Sequence, residues 1–329
     1  MSSLLSRRSA AGALAVLTLV ALPLPSAAAS HDVPGDLITG HAPSLHPEDI
    51  AYDPTRRAFI VGSLRHGTVS VVRPDGSVRT LVNDPALVSS VGIHVDARRG
   101  RLLVANSDIG VSTKSSPQTQ ERLAGLGVYD LRTGRRLHYV DLGAVAGDGA
   151  RHLANDIAVA PDGTAYVTDS FAPVVYRVPL RGRAGVFVRD PRLAPEGFGA
   201  NGIVWQAGGL VFSRYDNGTL WRVSARNPST LRRVAMELTL PGADGLTVRP
   251  DGALLVVTNA LDGKGVDAVF TLRPSKGWRR ATVVLRQDSP EPAPTTAAIG
   301  SDGRPYVLSG RIDLLLGGRP GDLFTIRRF

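Results

Sequence analysis

Residues 155–170 read NDIAVAPDGTAYVTDS, two runs of alternating apolar and polar residues on either side of a Pro-Asp-Gly triplet. Alternation of period two flanking such a triplet reads as an antiparallel hairpin. The second run, a Gly or Arg leading into apolar residues that end in small polar ones, recurs: RRAFIVGS from Arg56, GRLLVANS from Gly100, GTAYVTDS from Gly163, GGLVFSR from Gly208, GALLVVTN from Gly252 and GRPYVLSG from Gly303. The first run recurs as well, as EDIAYD at Glu48, VGIHVD at Val91, NGIVW at Asn201, DGLTVR at Asp244 and TTAAIG at Thr295. A third alternating run follows each hairpin, from TVSVV at Thr68 to DLFTI at Asp322, and residues 78–82 and 231–234 supply a fourth. Self-similarity at a period of roughly 40 to 50 residues indicates a propeller or a solenoid, and six units of four strands indicate an all-β, six-bladed β-propeller of four-stranded antiparallel blades.

The first thirty residues stand outside this repeat. Arg7 and Arg8 precede an apolar run over 10–24, followed by Pro25 and Ala27-Ala28-Ala29, which predicts a cleaved signal peptide over 1–29. The run falls short of the roughly 20 residues a membrane span needs, so no stable membrane anchor is expected. Ser6-Arg7-Arg8 resembles the start of a twin-arginine signal, and export by that route or by general secretion are both open. Residues 30–45 form an N-terminal segment that can close the last blade, and 46–329 form the propeller. The chain has no cysteine, so it has neither disulfides nor a thiolate ligand or nucleophile. Its net charge of +9 comes from scattered arginine doublets such as Arg56-Arg57 and Arg232-Arg233, without a basic stripe interleaved with aromatics. That pattern speaks against nucleic acid and leaves a small molecule as the partner of a monomeric protein.

In a propeller the first strand of each blade lines the central channel, and equivalent residues at its start form a ring at one mouth. Those positions hold Glu48, Val91, Asn155, Asn201, Asp244 and Thr295 or Thr296. Two carboxylates and two amides form an oxygen-only set whose charge balances a divalent cation. Hard oxygen donors suit Ca²⁺ foremost, then Mg²⁺ and Mn²⁺, and Zn²⁺ least. Taken singly, Asn201-Gly202 and Asp244-Gly245 read more readily as turns than as ligands; their shared register is what favours ligands. The ends of the second strands return to the same mouth, bringing Asn106, Asp169 with Ser170, and Asn259 as groups that contact substrate or ligands, or line a surface loop. His152 lies three residues before Asn155, in a connection expected to face the mouth. Pro161-Asp162-Gly163 and Pro250-Asp251-Gly252 are turns at the opposite face and should not touch a metal.

These motifs resemble the senescence marker protein, gluconolactonase and luciferin-regenerating enzyme family of six-bladed propellers, and more distantly the paraoxonases. The resemblance covers residues 46–329 and rests on PED at Pro47, AND at Ala154, ANG at Ala200 and ADG at Ala243. It implies that Glu48, Asn201 and Asp244 bind a divalent metal, that Asn155 is a metal or substrate contact, and that Asp244 also serves as the catalytic base. It implies lactone hydrolysis, with the metal polarising the ester carbonyl. The second blade carries VANSD at Val104 where paraoxonases have a histidine, so a paraoxonase-type dyad is not expected, and the last blade's TTAAIG lacks the glutamate of a strictosidine synthase-like enzyme. The expected function is therefore a secreted, metal-dependent lactonase, or alternatively a non-catalytic ligand-binding propeller with a structural metal. The polar stretch 107–125 is expected to be a lid or disordered, and Ile312–Leu316 to add an apolar wall.

Overall fold

A computed structural model describes residues 35–329, so the signal expected over 1–29 lies outside the described residues. The twenty-four strands form six four-stranded antiparallel sheets. The first strands of the sheets, Ile50–Asp53, Ser89–Asp96, Ala154–Val159, Ala200–Gln206, Ala243–Val248 and Pro294–Ile299, pack against one another around the axis and are therefore the inner strands. The second strands, Ala58–Gly62, Arg101–Ser107, Ala165–Asp169, Gly209–Arg214, Leu254–Thr258 and Pro305–Ser309, match the recurring apolar runs of the sequence. Closure is made by the N-terminal strand Leu37–His41, which pairs antiparallel with Leu323–Arg328, with Ile38 opposite Ile326. The last blade thus takes its outermost strand from the other end of the chain, and no edge is left between first and last blades.

Between each pair of neighbouring blades lies a separate apolar cluster. Leu103 and Leu126 of the second blade meet Ile157 and Tyr176 of the third, and Ile203 and Phe212 of the fourth meet Tyr166 of the third. Alternation is what permits this, because one face of every sheet packs on the preceding blade and the other on the following one. A seventh cluster, Leu64, Val91, Ile312 and Leu315, joins three blades at one mouth instead of two blade faces.

Five of the six positions expected to form the ring sit on β-bulges, and Glu48 lies just ahead of its inner strand. In the third blade Ala154 pairs with Asp169 and Ile157 with Val167, so Asn155 and Asp156 together face one residue. The same shift places Val91-Gly92, Asn201-Gly202, Asp244-Gly245 and Thr295-Thr296 in bulges. A bulge bends the strand and turns a side chain out of the sheet, here toward the axis. Asn-Gly and Asp-Gly are therefore not hairpin turns in this chain. Glycine is required by space: a Cβ on Gly202 would lie 2.3 Å from the Asp244 carbonyl oxygen, and one on Gly92 would lie 2.1 Å from that of Asn155.

Candidate functional site

Glu48, Asn155, Asn201 and Asp244 line one cavity of about 230 Å³ at the mouth. Each comes from the head of a different blade's inner strand, and repetition of the bulge carries the convergence of Asn155, Asn201 and Asp244. Asn155 donates its Nδ2 to Ser170 Oγ at 2.9 Å, which leaves its amide oxygen to face the axis. Ser170 in turn donates to the Ala200 carbonyl at 2.7 Å, tying the third blade to the fourth. Ser107 donates to Ala154 O at 2.8 Å and Ser213 to Asp244 O at 3.2 Å, so the end of each of these second strands holds the next blade's ring position in place.

Asp244 is oriented by Asn259, whose Nδ2 donates to Asp244 Oδ2 at 2.6 Å and to the Pro294 carbonyl at 3.0 Å. The oxygen of Asn259 accepts from Tyr215 Oη at 2.6 Å, which fixes which end of the amide faces the carboxylate. Burial pushes the Asp244 carboxyl up to about 7, against hydrogen bonds from Asn259 and Asn201 that favour its charged form. Burial also drives Glu48 well above the usual carboxylate range, helped by the charges of Asp244, Asp49 and Asp156.

Asp49 and Asp156, each one residue beyond a ring position, face the channel below the mouth cavity. Asp49 accepts from Ile50 N at 2.7 Å and from Ile93 N of the second blade at 2.6 Å. Asp156 repeats the arrangement, accepting from Ile157 N at 2.6 Å and Ile203 N of the fourth blade at 2.8 Å. These carboxylates staple adjacent inner strands at the bulges, where a strand amide lacks its ladder partner. Burial raises both, Asp156 to about 7. Only the offset of one residue from the ring hinted at them in the sequence.

Four carboxyls, Asp49 and Asp244 buried and Glu48 and Asp156 half-buried, thus share one axis, and no lysine or arginine lines either cavity. Isolated buried charge of one sign is costly and calls for a counter-ion. The donor set fits a hard divalent cation: carboxylate oxygens of Glu48 and Asp244 and amide oxygens of Asn155 and Asn201. Among the described residues no three His, Cys, Asp or Glu side chains converge as a metal site by themselves, so the two amides are indispensable to the set.

His152 does not face the mouth. It is 2% exposed, with Nδ1 at 2.7 Å from Asp169 Oδ2 and Nε2 at 2.8 Å from Asp148 Oδ1. Both ring nitrogens are engaged, and the Asp169 and Asp148 carboxylates raise its pKa. Asp169 also accepts from Leu153 N at 2.9 Å and Tyr176 Oη at 2.8 Å, so it organises the third blade's rim without reaching the cavity. Asn106 is likewise internal: its oxygen accepts from Val88 N at 2.8 Å and its Nδ2 donates to Ala86 O and Tyr139 Oη. Of the residues expected to support the ring, Ser170 and Asn259 touch it, while His152, Asn106 and Asp169 do not. Their strand ends do return to this face, but their side chains are held by partners in their own blades and in the connections that enter them.

Residues 107–125 form a compact loop around Asp108, which accepts from Gly110 N, Ser115 Oγ and Thr119 Oγ1. Arg65 donates to the Val111 carbonyl at 2.8 Å and Lys114 to that of Leu87, so the loop is pinned to the first and second blades with Ile109 on the cavity wall. The helical turn Ile312–Leu316 lines the cavity through Ile312 and Leu316, and its Ile312 and Leu315 belong to the cluster against which Val111 of the loop packs.

No family model matches the chain, and no curated protein matches it as a relative. Solved structures share its fold. The major allergen Mala s 1 of Malassezia sympodialis superposes with a TM-score of 0.70 at 17% identity, covering 89% of this chain and 96% of that one. A gluconolactonase of Xanthomonas campestris gives 0.61 at 18% identity over 89% of each chain. A luciferin-regenerating enzyme gives 0.58 at 16% identity, over 88% of this chain and 95% of its own. The structural neighbours thus include two proteins of the kinds the motifs resemble, and at these identities the likeness is one of fold.

Proposed function

We propose that this propeller is an exported, metal-dependent hydrolase that opens a lactone or a related ester. The observation that carries the reading is the convergence of Glu48, Asn155, Asn201 and Asp244 from equivalent positions of four blades onto one cavity that no basic residue lines. The gluconolactonase among the structural neighbours supports the choice of reaction. A divalent cation, Ca²⁺ foremost with Mg²⁺, Mn²⁺ or Zn²⁺ as alternatives, would be held by these four side chains and would act as Lewis acid on the acyl carbonyl.

Asp244 is the base. Its carboxyl, held by Asn259, takes a proton from water as the water oxygen bonds to the acyl carbon. The acyl C–O bond then breaks, and the same proton returns to the leaving alkoxide, yielding a hydroxy acid. Glu48, Asn155 and Asn201 position the reacting group, and the wall of the cavity keeps bulk water from the carboxyls. The protein acts as a monomer on a small molecule outside the cytoplasm, with residues 1–29 removed on export.

Chelator-treated protein assayed on sugar, homoserine and aromatic lactones with each cation tests the reading. Hydrolysis restored by a cation and abolished in Asp244→Asn supports it. Protein that gains neither activity nor thermal stability from any of these cations sinks it. A cation that stabilises without any turnover identifies a binding propeller with a structural metal.

A further inference from the structure

The floor and the walls of the mouth differ sharply in chemistry. The four polar ring residues occupy the floor, while the wall is aliphatic on one side, through Leu64, Val91, Ile109 and Leu261, and aromatic on the other. The aromatic side is a ladder, with Phe171 and Phe198 centroids 5.2 Å apart and Phe198 and Tyr215 centroids 6.2 Å apart. Arg151 caps its outer end, 4.5 Å above the Phe171 ring.

Of the polar side chains on the wall, Tyr215 Oη donates to Asn259 and Ser89 Oγ donates to the Leu64 carbonyl at 2.8 Å, while Asp262, whose Oδ1 accepts from Lys264 N at 2.9 Å, is an exposed carboxylate among otherwise apolar neighbours. No arginine, lysine or histidine lines the cavity. A polyhydroxylated sugar lactone bound here would bury its hydroxyls against hydrocarbon, and an unpaired buried hydroxyl is penalised in proportion to the water contacts it gives up. At the rim Phe198 is 38% exposed and Leu316 is 51% exposed, which prolongs the apolar surface outward. The cavity volume of about 230 Å³ lies below the roughly 300 Å³ at which drug-sized pockets begin, so it takes a ring and the first carbons of a substituent, the remainder lying along the open rim.

We infer that the substrate is an apolar lactone or ester, its carbonyl on the oxygen floor and an alkyl or aryl substituent running between the Phe198 ladder and the Leu316 turn. The inference rests on the lactonase reading for the reacting group and on the wall for the rest of the molecule. A sugar lactone is the wrong substrate for this mouth.

The test compares δ-decalactone with δ-gluconolactone in hydrolysis by the full chain supplied with calcium, and measures binding of the alkylated δ-lactam, which resists hydrolysis, by calorimetry. Expected are a kcat/KM for the decalactone ~100-fold above that for gluconolactone and lactam binding that weakens roughly tenfold in Leu316→Asn and in Phe198→Ala. Both positions are substantially exposed, so these variants fold. Lactam binding that responds to both variants, with no lactone hydrolysed, upholds the apolar ligand and removes the lactonase reading. Gluconolactone turned over as well as the decalactone overturns the inference and leaves the lactonase reading standing. Lactam binding that is absent, or indifferent to both variants, also overturns it.

Discussion

Stripping divalent cations from this protein should make its stability fall as pH rises, and Asp244→Asn should weaken that fall, leaving the part that Glu48, Asp49 and Asp156 contribute. Asp244 is 5% exposed, and its carboxyl titrates at about 7 instead of 3.8 because burial disfavours the charge. A folded-state value raised above the unfolded one means that the stabilisation is complete below 3.8 and is lost as pH climbs toward 7. Ionising that one group in the cation-free fold costs about 4 kcal/mol over this window. A domain of this size shifts by about 2 °C per kcal/mol, so Asp244 alone should lower Tm by roughly 8 °C between about pH 4 and pH 7.5. Asp244→Asn keeps shape and removes the charge, so without cations it should melt above the wild type at pH 7.5. Calcium at a hundredfold excess over its Kd adds about 2.7 kcal/mol to the wild type, flattens its pH profile and leaves the variant behind. Scanning calorimetry on chelator-treated protein with and without calcium reads all three. A cation-free wild type whose Tm is flat or rising across the window, with the variant indistinguishable from it, would refute both the electrostatic account and the cation site.

Asn259→Ala removes the donor that orients Asp244 Oδ2 and the acceptor of the Tyr215 hydroxyl; cation affinity should fall 10- to 100-fold in a titration while the fold is retained. Gly202→Ala forces a methyl toward the Asp244 carbonyl, so urea unfolding should show a loss of about 1–3 kcal/mol, and an unchanged midpoint would contradict the close blade approach. His152→Gln should leave kcat on any lactone within about twofold, because His152 is buried between Asp148 and Asp169 and does not line the cavity. The same variant should lose stability, most of all below the ordinary histidine value of 6.5, since the raised pKa means the charged imidazolium is what the fold favours; a loss independent of pH would argue against the ion pair.

The architecture was legible because propeller blades repeat. Six copies of the run that ends in Val104–Ser107 or Val167–Ser170 announce the second strands, and the run at Asn155 announces the inner ones. The ring residues were legible for the same reason, as equivalent positions must arrive at equivalent places around the axis. His152 shows where that reasoning stops. Its distance of three residues from Asn155 placed it near the mouth, yet the Asp169 and Asp148 carboxylates hold its ring within its own blade and the connection that enters it. Asn106 behaves alike, since the amide of Val88 and the hydroxyl of Tyr139 come from segments far from it in the chain. Asp49 and Asp156 were passed over because their partners, the Ile93 and Ile203 amides, belong to the following blades.

By itself the sequence determined the blade count, the strand order within a blade and the oxygen set at the head of each inner strand, since period-two alternation and repeat register are local properties of the chain. Only the tertiary structure decided that Asn201-Gly202 and Asp244-Gly245 are bulges facing the axis, that four carboxyls share it, and that the walls above them are apolar. Those facts depend on which side chains from separate blades meet across the mouth, and no spacing along the chain records a distance between blades.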